Sequence, residues 1–157
     1  MKQLIETFYR AFAQGDAETM ASCYHPDAVF EDPAFGKLSG REAGNMWRML
    51  CESQRGKGMR IEASGIQADA QQGSARWVAH YVFSPTGRAV RNEIEASFRF
   101  RDGKIASHTD AFDLYRWSRQ AMGPAGWLLG WTPFFRKKLQ ARTRAMLQRY
   151  EQSKGKA

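Results

Sequence analysis

Metal-binding and disulfide-forming residues are scarce in this chain. Its two cysteines, Cys23 and Cys51, lie far apart with no CxxC spacing, and its three histidines, His25, His80 and His108, have no ligand spacing. A disulfide scaffold wants more cysteines, and a zinc site wants clustered ligands. Both thiols are therefore read as free and reduced, and no metal or other cofactor is expected. Runs of about 20 apolar residues are absent, so no segment should span a bilayer. The opening stretch MKQLIETFYRAF has no apolar signal region, because Glu6 interrupts it. No signal peptide is expected, and the default compartment is the cytoplasm. Phosphate loops, dinucleotide fingerprints, internal repeats and low-complexity runs are missing as well.

What remains is a chain of 157 residues, 43% hydrophobic and 13% aromatic. That length can bury a core without staples, and the aromatic share suits a pocket. The net charge of +8 is unevenly placed. Residues 136–157 hold eight Lys and Arg against Glu151 alone, leaving the rest of the chain near neutrality. A basic footprint across the body is lacking, so no nucleic-acid partner is expected.

Leu4, Ile5, Phe8 and Phe12 fall on one face of a first helix over 2–14. Gly15 ends it, and Asp16 caps a short second helix, about 16–23. His25-Pro26-Asp27 predicts a turn, and Ala28–Glu31 a strand running into Asp32-Pro33. Ser39 or Gly40 starts a third helix, about 40–54, with Ala43, Met46, Trp47 and Leu50 on one face. Strands follow over 59–69, 74–84, 89–101 and 104–113, with an irregularity at Ser64-Gly65 and an Asp102-Gly103 hairpin turn. In the third of these strands Asn92, Ile94, Ala96, Phe98 and Phe100 alternate with Glu93, Glu95, Ser97, Arg99 and Arg101. Tyr115–Gln120 opens another helix that Gly123-Pro124 stops. After WLLGWTPFF comes a long basic helix, about 134–152, with fraying past Ser153. Helices first and a meander of strands after them indicate an α+β domain with an antiparallel sheet. The division expected is a domain over 1–122 and, over 123–157, an apolar segment plus basic helix packed on the domain or a partner.

Three stretches in this order, FYRAFAQGDAETMASCYHPDAVFEDP, LSGREAGNMWRML and FRFRDGKIASHTDAFD, resemble the nuclear-transport-factor-2-like superfamily. Within it they are similar to SnoaL-like cyclases, ketosteroid isomerases and limonene-epoxide hydrolases. The resemblance implies a curved antiparallel sheet wrapped around N-terminal helices, a cone-like α+β barrel enclosing a largely apolar pocket. It places Asp32 on the isomerases' base, Phe8 on their oxyanion-hole tyrosine and Ala96 near their second acid. It places Asp110 on an aspartate of the epoxide hydrolases and of the cyclases, while Trp77 and Ala79 fall on the other epoxide-hydrolase site positions. His108 is a neighbouring candidate acid.

Side chains two apart on a strand share a face, so His108, Asp110 and Phe112 point together. With Asp110 inward, carboxylate and imidazole form a candidate acid–base pair in an aromatic cavity. The catalytic candidates are Asp32, His108 and Asp110. Phe8, Tyr9, Phe12, Trp47, Trp77, Tyr81, Phe98 and Phe112 are candidate lining residues, each equally at home in a core. Tyr9, at the edge of the first helix's apolar stripe, could supply the donor that Phe8 cannot. His80 should face outward.

Two functions remain open: a cofactor-free enzyme moving protons on a small apolar molecule (isomerase, cyclase or epoxide-hydrolase-like), or a non-catalytic ligand-binding or dimerisation module. A homodimer is expected from the outward Val78 and Val82. Trp127, Leu128, Leu129, Trp131, Phe134 and Phe135 are too apolar to leave in water. They are expected to pack on the outer sheet face or a partner subunit, with peripheral membrane contact as the alternative.

Overall fold

The computed structural model describes residues 1–155. Helix α1 (Lys2–Gln14) buries Ile5, Phe8, Tyr9, Ala11 and Phe12, the stripe its periodicity predicts. Gly15 closes it at φ 70°, with its N–H and that of Asp16 bonded back to Phe12 and Ala11 carbonyls. Asp16 then caps α2 (Ala17–Ser22), its Oδ1 accepting from the Thr19 N–H at 3.0 Å. Helix α3 (Gly40–Gln54) starts in a complete capping box between Ser39 and Glu42, which fixes its entry angle.

Six strands form one open, curved sheet. They are β1 (Tyr24–Asp32), β2 (Gly36–Ser39), β3 (Arg60–Ala68), β4 (Gln72–Phe83), β5 (Arg88–Arg101) and β6 (Lys104–Ala111), in the order β2-β1-β6-β5-β4-β3. Two expectations need correction. The sheet is mixed, because β1 runs parallel to β6. And His25-Pro26-Asp27 lies within β1: the register shifts between Tyr24 and Val29, so the proline, which has no N–H to give a ladder, occupies a bulge. The short strand β2 is an addition that four residues of weak alternation did not announce. The irregularity at Ser64-Gly65 is present, with Gly65 at φ 60°.

The concave face of the sheet and helices α1 and α3 enclose an aromatic core. Phe8, Phe30 and Trp47 meet edge to face, with ring centroids 5.4–5.6 Å apart for Phe8–Trp47 and Phe30–Trp47. A smaller cluster, Val90, Leu114, Trp117 and Ala121, seats α4 (Leu114–Met122) on β5. Among the described residues no helix is long and apolar enough to cross a membrane.

Two further helices follow, α5 (Pro124–Leu129) and α6 (Pro133–Lys154). The helix continues past Ser153 to Lys154; Lys156 and Ala157 lie outside the described residues. Of the aromatic segment, Phe135 packs partly buried against the smaller cluster, while Trp127, Leu128, Leu129, Trp131 and Phe134 are exposed rather than packed on this chain's own sheet. It is α6 that docks. Leu147 is buried in the core, Thr143 Oγ1 donates to the Ala34 carbonyl at 2.8 Å, and Gln140 and Arg144 donate to carbonyls of Pro33 and Phe35. Tyr150 and Lys154 reach Glu52 of α3 at 3.0 Å each. Leu147→Ala should lower stability by about 2–4 kcal/mol, read as a lower denaturant midpoint. An unchanged midpoint would mean that α6 contributes nothing to the folded core.

Candidate functional site

Between α3, the sheet and α6 lies a cavity of about 320 Å³. Its walls are apolar: Phe12, Met46, Trp47, Leu50, Met59, Ile61, Trp77, Ile94 and Phe112 contribute. Asp32, Asp110, Tyr81 and Asn92 supply polar groups, and Leu139, Arg142, Thr143 and Met146 of α6 line it from the C-terminal side. A larger depression, about 590 Å³, lies elsewhere and is lined by Gln67, Asp69, Ser74, Ser97, Phe98 and Thr109. None of the three candidate catalytic residues reaches it, so the smaller cavity is the site of interest.

Register brings the two carboxyl groups to one cavity. In the parallel pair, Phe30 sits beside His108 and Glu31 beside Thr109. The pairing ends there; Asp32 and Asp110 are the next residues of the two strands, and both line the cavity. Asp32 ends β1, and its Oδ1 accepts from the N–H groups of Ala34 at 2.9 Å and Phe35 at 2.6 Å. This is the turn geometry that an Asp-Pro pair favours, here with the carboxyl group on the cavity wall. Burial raises its pKa from 3.8 to about 7; the backbone donors oppose that rise, and the Asp110 charge adds to it.

Asp110 is almost fully buried and held from behind. The Trp77 indole N–H donates to its Oδ1 at 3.3 Å, and His108 Nε2 lies 3.0 Å from the same oxygen. His108 Nδ1 lies 2.6 Å from the Tyr24 hydroxyl, which accepts from the Trp47 indole N–H at 3.0 Å. The indoles donate only, which orients the chain. Tyr24 accepts from Trp47, and in the tautomer with its proton on Nε2, His108 accepts from the Tyr24 hydroxyl at Nδ1 and donates to Asp110. Among the described residues nothing hydrogen-bonds Asp110 Oδ2, leaving that oxygen for the cavity. Tyr81 has a similar freedom: its oxygen accepts from the Trp117 indole at 2.7 Å, and among the described residues no acceptor takes its proton. Burial raises its pKa, so it remains a donor.

Phe12, Trp47, Trp77, Tyr81 and Phe112 line the cavity with Asp32 and Asp110. His108 does not; both its nitrogens are engaged below the floor, so it positions Asp110 and has no open nitrogen for a substrate. Phe8, Tyr9 and Phe98 are core residues that do not line this cavity. The Tyr9 hydroxyl is buried without a partner among the described residues, so it does not present the donor expected of it to the cavity. Tyr24 was missed because its role depends on a contact eighty-four residues away in sequence. The α6 residues carried no local signal at all. Cys23 and Cys51 are free, buried and away from the cavity lining; burial pushes the Cys51 thiol up to about 11. Among the described residues no group of three or more His, Cys, Asp or Glu could hold a metal ion.

The model of the SnoaL-like domain matches residues 5–108. The chain belongs to the SnoaL-like domain family. Helices α4–α6 lie beyond the matched part of this SnoaL-like chain. Among solved structures it is similar to a protein with a ketosteroid isomerase-like fold from Catenulispora acidiphila, with a TM-score of 0.66 and 16% identity over 79% of this chain and 95% of that one. It is similar to an LEH-like epoxide hydrolase of M. tuberculosis, with a TM-score of 0.61 and 23% identity over 82% and 89%. A candidate polyketide cyclase of Xanthomonas campestris pv. campestris gives 0.60 and 22% over 75% and 93%. At these identities the likeness is one of fold. A search of curated proteins finds no match.

Asp32 makes stability pH-dependent in a defined direction. Its folded pKa of about 7 exceeds the ordinary 3.8, so the folded state holds the proton more tightly. Stability should fall as pH rises from about 4 to 7, by up to about 4 kcal/mol, and level off above. Asp32→Asn should remove that slope, leaving the variant more stable than the parent at pH 8 and equal to it near pH 4. Urea titrations across this range check it; parallel curves for the two proteins would contradict it. Tyr24→Phe removes the acceptor of Trp47 and the donor to His108 together, and should cost about 2–4 kcal/mol by the same measurement.

Proposed function

We propose that this SnoaL-like protein is a cofactor-free acid–base enzyme that moves a proton on a small, mostly apolar substrate. The observation carrying this reading is that Asp32 and Asp110, from neighbouring strands, both line one apolar cavity. The Asp110 charge adds to the burial that makes Asp32 harder to ionise. Asp32, with a pKa of about 7, suits a group that takes a proton and returns it near neutral pH. Asp110, steered by His108 and Trp77, offers Oδ2 as the second acceptor. Tyr81 supplies a hydroxyl donor for oxygen charge developing on the substrate. Proton abstraction next to a carbonyl, with return of the proton elsewhere on the molecule, fits this set. The same groups would serve an isomerisation or a cyclisation.

Incubation with small cyclic ketones in deuterated water tests the reading by NMR. The protein should catalyse deuterium entry at the carbon beside the carbonyl. The rate should climb with pH through about 7 and level off above it, because the ionised Asp32 is the acceptor. Asp32→Asn should lower it by about 10²-fold or more, and Asp110→Asn should lower it too. Saturable ligand binding with no exchange above background would instead favour a non-catalytic binding module.

A further inference from the structure

The link from α4 to α6 turns its largest side chains to solvent. Leu128 is 73% exposed, Trp131 68%, Phe134 66% and Trp127 57%. Apolar exposure this contiguous marks a contact surface. It is also held in place. A Cβ on Gly126 would stand 1.9 Å from the Ser118 carbonyl oxygen, and one on Gly130 would stand 1.8 Å from Ser118 Oγ. These two glycines seat α5 against fully buried Ser118 of α4, and Tyr115 donates to the Trp127 carbonyl at 3.2 Å. With the glycine side facing inward, Trp127, Leu128 and Trp131 are committed outward.

Charge identifies the occupant. From Leu114 to Tyr150 there is no Asp or Glu, and there are eight Arg and Lys; elsewhere in the chain the charges cancel, so this stretch accounts for the whole net +8. Cations sit against the exposed rings: the Arg119 guanidinium lies 4.5 Å from the Trp127 ring centre and Lys138 Nζ lies 5.8 Å from that of Phe134. A second copy would bring the same positive stretch against this one, which repels. Apolar and aromatic tips flanked by Lys and Arg suit an anionic bilayer surface, where the tips enter the acyl boundary and the cations meet headgroups.

We infer that residues 127–138 form a docking element for anionic membranes. Leu128, Trp131 and Phe134 enter the interface, and Arg119, Lys137 and Lys138 meet lipid phosphates. Helix α6 starts at this element, and Thr143 of the cavity lining lies about 14 Å along its axis from Phe134. Docking therefore holds a helix of the apolar cavity close to the lipid, and the ligand class it favours is an apolar molecule dissolved in the bilayer. That last step rests on the proposed substrate cavity; the docking itself does not.

The full-length protein should co-sediment with phosphatidylcholine vesicles containing about 30% phosphatidylglycerol, with a blue shift of tryptophan emission. Binding should weaken at least about tenfold as salt rises from about 0.1 to 0.5 M. Combined Leu128→Ser, Trp131→Ser and Phe134→Ser should lower vesicle affinity at least about tenfold while leaving the circular dichroism unchanged. Lys137→Glu with Lys138→Glu should also weaken binding and flatten its salt dependence. Asp32→Asn should bind as the parent does, which separates this test from that of the acid–base reading. Failure of the parent to bind, or undiminished binding by the triple variant, would overturn the docking. So would a triple variant that turns an oligomer into a monomer without any parent binding to vesicles, since a second copy would then be the occupant.

Discussion

A carboxyl group and an imidazole buried side by side in an aromatic core must draw most of their hydrogen bonds from the protein. That requirement organises the domain. His108 and Asp110 stand on the concave face of β6, both buried. Their partners come from three other elements: Tyr24 from β1, Trp47 from α3 and Trp77 from β4. A strand slipped by one residue would turn His108 and Asp110 outward together. The buried chain therefore penalises any register but one, and it locks the parallel β1–β6 pairing that brings Asp32 and Asp110 to one cavity. Specificity of fold and geometry of the site follow from the same few bonds.

The remainder of the site is built by contrast with that satisfied floor. Asp110 keeps one oxygen unbonded, Tyr81 keeps its proton uncommitted, and Asp32 is held at a pKa of about 7 by burial that two backbone donors do not offset. All three face the same cavity. Each feature costs stability or leaves it ungained, and a core selected for stability alone would have none of them. Tyr9, with its buried and unpartnered hydroxyl, is a further cost, though it lies outside the cavity.

Periodicity made the helices and strands legible. The stripe of α1, the capping residues of α2 and α3, and the alternation in β5 each repeat over many residues, so local chemistry suffices to find them. That His108, Asp110 and Phe112 point together followed from alternation as well; their inward direction was what the family resemblance implied. What stayed hidden depends on partners distant in sequence. The parallel strand pair, the bulge that absorbs Pro26, and Tyr24 as the bridge between Trp47 and His108 are properties of the assembled sheet. Lining residues were separable from core residues only in part: Phe12 and Trp77 share walls with Phe8 and Phe98, and a turn of helix or a strand's width decides which side meets the cavity. The aromatic segment misled for a sound reason. Its hydrophobicity predicts burial, but two glycines press its small side inward and leave the large one outside.

Helix α6 joins these themes. Its polar residues seize the turn after β1, where Pro33, Ala34 and Phe35 offer carbonyls to Gln140, Thr143 and Arg144. The N–H groups of Ala34 and Phe35 in that same turn hold Asp32. One loop thus has its carbonyls tied to α6 and its amides tied to the candidate base. A shift of α6 that breaks the first set would loosen the second, changing both the support and the solvation on which the Asp32 pKa depends. The helix also supplies part of the cavity lining through Leu139, Arg142, Thr143 and Met146. The element that closes the cavity and the element that supports Asp32 are therefore mechanically one, and the family-matched core, which ends at residue 108, lacks this wall of the cavity.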